Sequence, residues 1–322
     1  MDVWLSRGGE EVLVELPPEA RVEFYDPVPV GDLSEAPEVR AGELVVVDAS
    51  HLKPESVGEV VERLRPARAA VTTWLAHGSA PDAVALSRLR SLGLSTTSDD
   101  WFAAELRDSD ELTYVSPPLA LPPRLSSPES RARALLSSMG LDSEGKRVRA
   151  VACVLTPGGE LMGFLEADRV PGAELRGEHD LVLLSPGGFP FDRTLLQVLL
   201  CLEPYSALCR ERGVIGVVAE CAEGLGSRRL LEAALSGNRV PGTVEGEALG
   251  SLESVRTRAR VVASVPLPRT YVERAFGMRQ APRLQEAVTA ATRFVGREIR
   301  AAVVRCASLR AAAGAAERPR KS

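Results

Sequence analysis

The sequence predicts an α/β fold: two Rossmann-like domains with mainly parallel sheets and an interdomain ligand cleft. Three observations carry this. Short apolar runs such as 43–48 (ELVVVD) and 180–185 (DLVLLS) are each followed by a polar loop and then an amphipathic helical segment, the pattern of strands buried on both faces of a parallel sheet. Glycine-rich turns stand at the ends of two such runs, at 185–192 and 220–227. The chain has 322 residues, 45% of them apolar, enough for two cores.

In chain order, residues 11–16 and 21–25 alternate apolar and polar positions across a PPEA turn and read as a hairpin. Strand–loop–helix units follow: ELVVVD, ASHLKP, ESVGEVVERLR, and then ARAAVTTWL, AHGSAP, DAVALSRLRSLG. Segment 116–128 holds five prolines and breaks regular structure. A helix, ESRARALLSSMG, precedes the charged linker DSEGKR, which places a domain boundary near residue 145. Residues 1–145 then form an N-terminal α/β domain and 146–322 a C-terminal one, with a frayed basic tail at 315–322. The second half opens with a hairpin around the PGG turn of VRAVACVLTPGGELMGFLEAD. The units at 180–213 and 214–237 follow, and shorter ones at 253–265, 269–276, 281–294 and 298–305 complete it.

Composition narrows the function classes. The net charge is −5, which argues against nucleic acid as a partner. No apolar run approaches the ~18 residues of a membrane helix, and the first residues lack a signal-peptide pattern, so the expected location is cytoplasmic. Three lysines (Lys53, Lys146, Lys321) stand against 36 arginines, with one asparagine and three glutamines; scarce amides suit a thermophile, and a GC-rich genome gives the same arginine bias. The five cysteines form no CxxC pair and the three histidines no ligand pair, so no metal site arises from local spacing. The expected partner is a small anionic ligand, with a homo-oligomer as a further possibility.

Ligands of open parallel sheets sit beyond the carboxyl ends of the strands, where helix N-termini offer backbone N–H groups. Four loops are placed there. In 185–192 the candidate ligand-binding residues are Ser185, Gly187, Gly188, Phe189 and Asp192, with Asp192 as the cap of the following helix and Gln197 on its first turn. In 220–227 they are Glu220, Glu223, Gly224 and Gly226; Glu220 is a candidate general base, and Cys221 reads as an inert buried thiol. The loop after ELVVVD offers His51 as a proton shuttle or helix cap and Lys53 as a carboxylate anchor. His77 sits in the corresponding loop of the next unit. His179, ahead of its strand, is expected to face solvent.

The segment SPGGFPFDRTLLQ followed by VIGVVAECAEGLGS resembles the C-terminal domain of nickel-dependent lactate racemases, in which an [S/A]-[A/P]-G-G-[Y/F]-P-K-D turn precedes an E-C-x-E-G-x-G loop. The resemblance covers about residues 128–265. It extends weakly to Ser50-His51-Leu52-Lys53-Pro54, which lines up with the family's D-H-T-R-P turn, and to His77 and Pro81, which line up with its G-x-H-R-P turn. It implies a 2-hydroxy acid ligand and sets His77 against one of the family's catalytic histidines; His51, His77 and Glu220 are the catalytic candidates should the chain be an enzyme. The family also carries an E-P-H motif and a glycine-rich stretch whose lysine bonds a nickel-pincer cofactor; here 116–128 has neither histidine nor lysine, and Phe191 replaces the lysine of the GG turn. The sequence reading is therefore a lactate-racemase-like protein that binds a small 2-hydroxy acid or other small carboxylate without that cofactor. The alternatives are a cofactor-free isomerase, racemase or lyase, a nickel-dependent racemase with relocated ligands, and a regulatory or assembly subunit.

Overall fold

A computed structural model describes residues 1–27, 33–40, 43–66, 68–73, 75, 95–96, 100–141, 145–169, 175–309 and 311–313. His77, the helix expected at 82–93 and the tail at 315–322 lie outside the described residues.

The first sheet is built from the apolar runs of the N-terminal half. Strand β4 (Leu44–Asp48) is buried throughout and leads through a 3-10 turn at Ala49–His51 into helix α1 (Pro54–Leu64), with Pro54 at its first position, where the missing N–H costs nothing. Strands β5 (Arg68–Thr72) and β6 (Ser95–Thr96), helix α2 (Asp100–Asp108) and strand β7 (Glu111–Ser116) follow, and helix α3 (Pro128–Ser138) covers the sheet. Ser127 caps α3 through a reciprocal bond with Ser130. The hairpin of β8 (Arg147–Leu155) and β9 (Leu161–Glu166) completes an order β6-β5-β4-β7-β8-β9, parallel except for β9. The PGG turn expected between β8 and β9 is present.

The second sheet has the order β13-β12-β11-β10-β14-β3-β15. Its strands are β3 (Arg21–Pro27), β10 (His179–Leu184), β11 (Cys209–Val218), β12 (Arg260–Ser264), β13 (Arg279–Gln280), β14 (Arg300–Val304) and β15 (Ala311–Ala313). All pairs are parallel except β15 with β3. Between them lie α4 (Leu195–Leu200), α5 (Leu202–Ser206), α6 (Arg228–Ser236), α7 (Val244–Arg258), a π-helical turn at Tyr271–Ala275 and α8 (Gln285–Val295).

The structure corrects three parts of the expected layout. The N-terminal hairpin joins β1 (Asp2–Arg7) to β2 (Glu10–Glu15), not 11–16 to 21–25; Gly8, at φ 56°, makes the tight turn that its left-handed conformation permits. Residues 21–27 instead pair in parallel with β14, and consecutive buried residues Phe24 and Tyr25 mark a strand covered on both faces. The boundary expected at residue 145 therefore does not separate the sheets: β3 lies in the second, while 147–166 extend the first. The single long helix expected after the GG turn is divided at Cys201, and the chain is already in strand β11 at Cys209.

The sheets do not have separate cores. One cluster of buried side chains runs from Val45, Val47 and Tyr114 to Leu195, Leu199, Tyr205 and Val304. The β1–β2 hairpin buries Val3, Leu5 and Val14 with Phe24, Leu181 and α8 residues Ala287 and Val288 in a second cluster.

Candidate ligand site at facing strand ends

Strand order locates where each sheet can receive a ligand. In the first, the chain moves outward from β4 to β5 and β6, then returns to place β7 on the other side of β4. In the second, it moves from β10 to β11, β12 and β13 and returns to place β14 beside β10. Each reversal diverges the two adjacent loops and leaves a crevice at the carboxyl ends. Here the two reversals meet. The loop after β4 touches the loop after β10: Gln197 Nε2 donates to Ser50 O at 2.7 Å, and the His51 and Phe191 rings lie 6.2 Å apart. The segment after β7 touches the loop after β14 through a bridge between Leu119 and Leu309 and a bond from Ala120 N to Ser308 O.

The GG turn is shaped by what packs against it. Gly187 has φ 125° and Gly188 φ 72°. A side chain on Gly187 would meet Cys306 Sγ at 2.5 Å, and one on Gly188 would meet Gly8 O at 2.5 Å. Ser185 Oγ donates to Ser6 O and accepts from Gly187 N. Phe189 is exposed, Phe191 fully buried, and the Phe189–Pro190 peptide is cis.

Asp192 does not cap the next helix. It is fully buried, and its Oδ2 accepts from Gly8 N at 2.7 Å and from Glu220 N at 3.0 Å, so it binds the N-terminal hairpin to the loops after β10 and β11. Its Oδ1 has no hydrogen-bond partner among the described residues. The cap is Thr194, paired reciprocally with Gln197 in the box pattern T-x-x-Q. The free N–H groups expected at this helix start are also taken: Leu195 N donates to Gly224 O and Leu196 N to Leu225 O. Gly224 and Gly226, at φ 73° and 85°, thus present their loop's backbone to α4. Glu223 pairs with Arg193, and a side chain on Gly8 would meet Glu220 Oε2 at 2.0 Å, so that carboxyl rests on the hairpin turn.

His51 is 1% exposed, and its Nδ1 has no hydrogen-bond partner among the described residues. Burial, reinforced by the positive charges of Arg131 and Arg193, lowers its pKa to about 3. It is neutral at ordinary pH, far from the match between pKa and working pH that a general base needs, and it shares no hydrogen bond with Glu220. Lys53 pairs at 3.1 Å with Glu160 near the surface, beside Gly159 and Pro190. His179 is buried at the start of β10, between Leu208 O at 3.0 Å and Glu23 Oε2 at 3.1 Å; the expectation of a solvent-facing ring fails because β3 lies within reach. The five cysteines are buried, and burial raises their pKa values, that of Cys306 to about 12, which removes the thiolate a nucleophile requires.

Three residues escaped the sequence reading. Asp48 ends β4 fully buried, accepting from Ser50 N at 3.0 Å and Tyr114 Oη at 2.6 Å; burial raises its pKa against those bonds and the pull of Arg131. Arg131, fully buried on α3, donates to Leu125 O, Ser116 Oγ and Pro117 O. Arg305, just after β14, holds Asp26 bidentately at 2.8 and 2.7 Å. Arg305 lines a cavity of 480 Å³ with Asp26, Gly187, Cys306, Val154 and Met162, between the second sheet's reversal point and the β8–β9 hairpin.

The nickel-pincer cofactor implied by the resemblance requires donors that the described residues do not supply. Lys53 is engaged with Glu160, and Lys146 Nζ donates to the carbonyls of Arg107 and Ser109. Phe191 is buried where the family has its lysine, the stretch from Leu119 to Pro122 is packed as an apolar strap, and no group of three or more His, Cys, Asp or Glu is arranged to hold a metal among the described residues. The site as described does not fit that group.

Two facing reversal points in mainly parallel sheets define an α/β protein with its candidate site at the carboxyl ends of the strands. The structure of the lactate racemase apoprotein from Thermoanaerobacterium thermosaccharolyticum shares this fold, with a TM-score of 0.63 at 14% identity over 96% of this chain and 99% of that one. A lactate racemase from the same organism is 31% identical over 101 residues, which are 29% of this chain and only 21% of that protein. No family model matches the chain. The chain thus has the fold of that apoprotein and a stretch of sequence similar to a lactate racemase. No helix among the described residues is long and apolar enough to cross a membrane.

Proposed function

We propose that the protein binds a small carboxylate, a 2-hydroxy acid by preference, in the cavity between the GG turn and the β8–β9 hairpin, without a nickel-pincer cofactor. The observation that supports this is the cavity itself. It opens at a topological reversal point, the place where open α/β sheets take ligands, and its 480 Å³ falls in the usual range for small-molecule sites. Its chemistry suits an acid with an aliphatic substituent. The Arg305 guanidinium is a planar cation of the kind that recognises carboxylates, one that a ligand acid would share with Asp26, and Val154, Leu155, Pro157 and Met162 offer an apolar wall. Gly187 brings backbone to the same cavity without a side chain. Turnover is not part of this reading, because His51 is buried and neutral and Asp192 and Gln197 are engaged in holding loops together.

Calorimetric titration with lactate and with 2-hydroxyisocaproate, each as both enantiomers, tests it. Saturable binding is expected, weakened at least about tenfold by Arg305→Met, the loss of one charge-assisted contact. Met162→Trp, at a half-exposed wall position, provides a second variant that fills the cavity without touching the Asp26 pair. Absence of saturable heat for all four acids, or affinities unchanged in both variants, refutes the proposal.

A further inference from the structure

A second cavity, of 660 Å³, lies at the carboxyl ends of β12 and β13, toward the other edge of the second sheet. Its lining includes Arg7, Ser264, Arg269, Arg279, Gln280 and Glu286. The three arginines come from three separate segments: the end of β1, the loop after β12, and β13 itself. None of them belongs to the site described above.

The arginines differ in how they are held. Arg269 pairs with Glu273 at 2.9 Å and Arg279 with Glu286 at 3.1 Å, and both guanidinium groups are more than half exposed. Exposed pairs of this kind are weak and exchange readily, so an incoming anion can share or replace the carboxylates. Arg7 is half-buried and forms no ion pair among the described residues. The carboxylates facing the cavity are Glu286 on α8 and, through Arg269, Glu273; Glu220 lies over the neighbouring Gly8. The lining itself thus carries three positive charges against one negative. The loop that bears Ser264 and Arg269 is fixed, because Gln280 Nε2 donates to Val265 O at 3.0 Å and Leu267 O at 2.7 Å. Pro266 and Pro282 stiffen the rim.

The arrangement selects among anions. A carboxylate is satisfied by one bidentate arginine, whereas three guanidinium groups arriving from different segments match a tetrahedral phosphate dianion. The volume leaves room for an organic group beside the phosphate. No aromatic side chain among the described residues lines the cavity, so a nucleobase finds no stacking partner there. Ser264, Gln280 and Glu286 instead offer partners for hydroxyl groups. We infer that this cavity binds a non-aromatic phosphate monoester, such as a sugar or polyol phosphate.

The test uses the full chain and glycerol 3-phosphate, with AMP and citrate as comparators, in calorimetric titrations. Saturable binding of glycerol 3-phosphate is expected, with AMP and citrate weaker. Arg7→Gln and Arg279→Gln should each reduce its affinity at least about tenfold. Arg293→Gln, an exposed arginine on α8 outside the cavity, should leave it within about twofold, and so should Arg305→Met, which separates this site from the one at the GG turn. Far-UV circular dichroism checks that each variant folds. No saturable binding, citrate binding as tightly as the phosphate, or an equal loss in Arg293→Gln overturns the inference.

Discussion

Asp192 offers the sharpest test of how the reversal point is held together. Its Oδ2 is the acceptor for Gly8 N and Glu220 N, and these bonds join the N-terminal hairpin to two loops of the second sheet. Asp192→Ala leaves both backbone N–H groups without an acceptor in a place mostly closed to water. Each such loss costs about 1–3 kcal/mol. The substitution also removes Oδ1, which is buried without a partner, and that recovers about 1–3 kcal/mol of desolvation. The net loss is then about 1–3 kcal/mol, since two groups are stranded and one is relieved. At roughly 2–4 °C per kcal/mol for a chain of this size, the melting temperature should fall by roughly 2–12 °C. Asp192→Asn keeps one oxygen for the two N–H groups but points an amide into the space of Oδ1, so it should fall between the parent and Ala. Urea unfolding followed by circular dichroism gives the magnitude, and amide hydrogen exchange gives the place, with Gly8 and Glu220 accelerated first. An Ala variant that melts within about 1 °C of the parent, or normal protection at both amides, refutes the assignment of Asp192 as the tie.

Two further effects follow from buried groups at the junction. His51 has a folded pKa of about 3 against 6.5 in the unfolded chain, so the unfolded state binds the extra proton and stability drops as pH falls from 6.5 toward 3. Between pH 7 and 5 the loss should be ~2 kcal/mol, visible as a lower urea midpoint, and His51→Leu should remove most of that difference; an identical pH dependence in the variant shows that His51 is not its source. Gln197→Leu strands Thr194 N and Ser50 O, which costs about 2–6 kcal/mol and should loosen the contact between the loops after β4 and β10, read as faster proteolysis in the segment around His51; unchanged stability would mean that the bracket is not needed.

Much of this architecture is legible in the sequence, and the gaps have physical causes. The apolar runs that became β4 and β10 are buried on both faces, so they needed no partner to be recognised. The GG turn was legible because two adjacent glycines mark positive φ, and the structure adds the reason: Cys306 and Gly8 leave no room for a β-carbon at either. The strand expected at 21–25 is present as 21–27, but with a different partner from 11–16. Its parallel pairing with 300–304 depends on chain nearly 280 residues away, and no local periodicity encodes it. His179 was misplaced for the same reason, because Glu23 reaches it from that unseen strand. The cap is different: Thr194 and Gln197 spell a capping box in the sequence itself, two residues beyond the Asp192 expected there. Arg131 carried a weaker signal, a charge among the residues of α3 that face the core, flanked by Ala132, Leu135 and Leu136.

The meeting of the two reversal points constrains what the protein can do. Separate crevices would let each sheet take a ligand independently. Here the loops after β4 and β10 are bracketed by Gln197, and those after β7 and β14 by Ala120 and Ser308, so the direct line between the crevices is filled with buried side chains. Cys306 and Gly187 belong to both regions: they line the lateral cavity and form the back of the packed junction. A ligand entering that cavity pushes on the same two residues that set the spacing of the GG turn. The β8–β9 hairpin is its outer wall and belongs to the first sheet, while Arg305 and Asp26 belong to the second. If the proposed carboxylate binds there, its occupancy would clamp the hairpin of one sheet onto Asp26 and Arg305 of the other, and should stabilise the junction as a whole rather than one half of the chain.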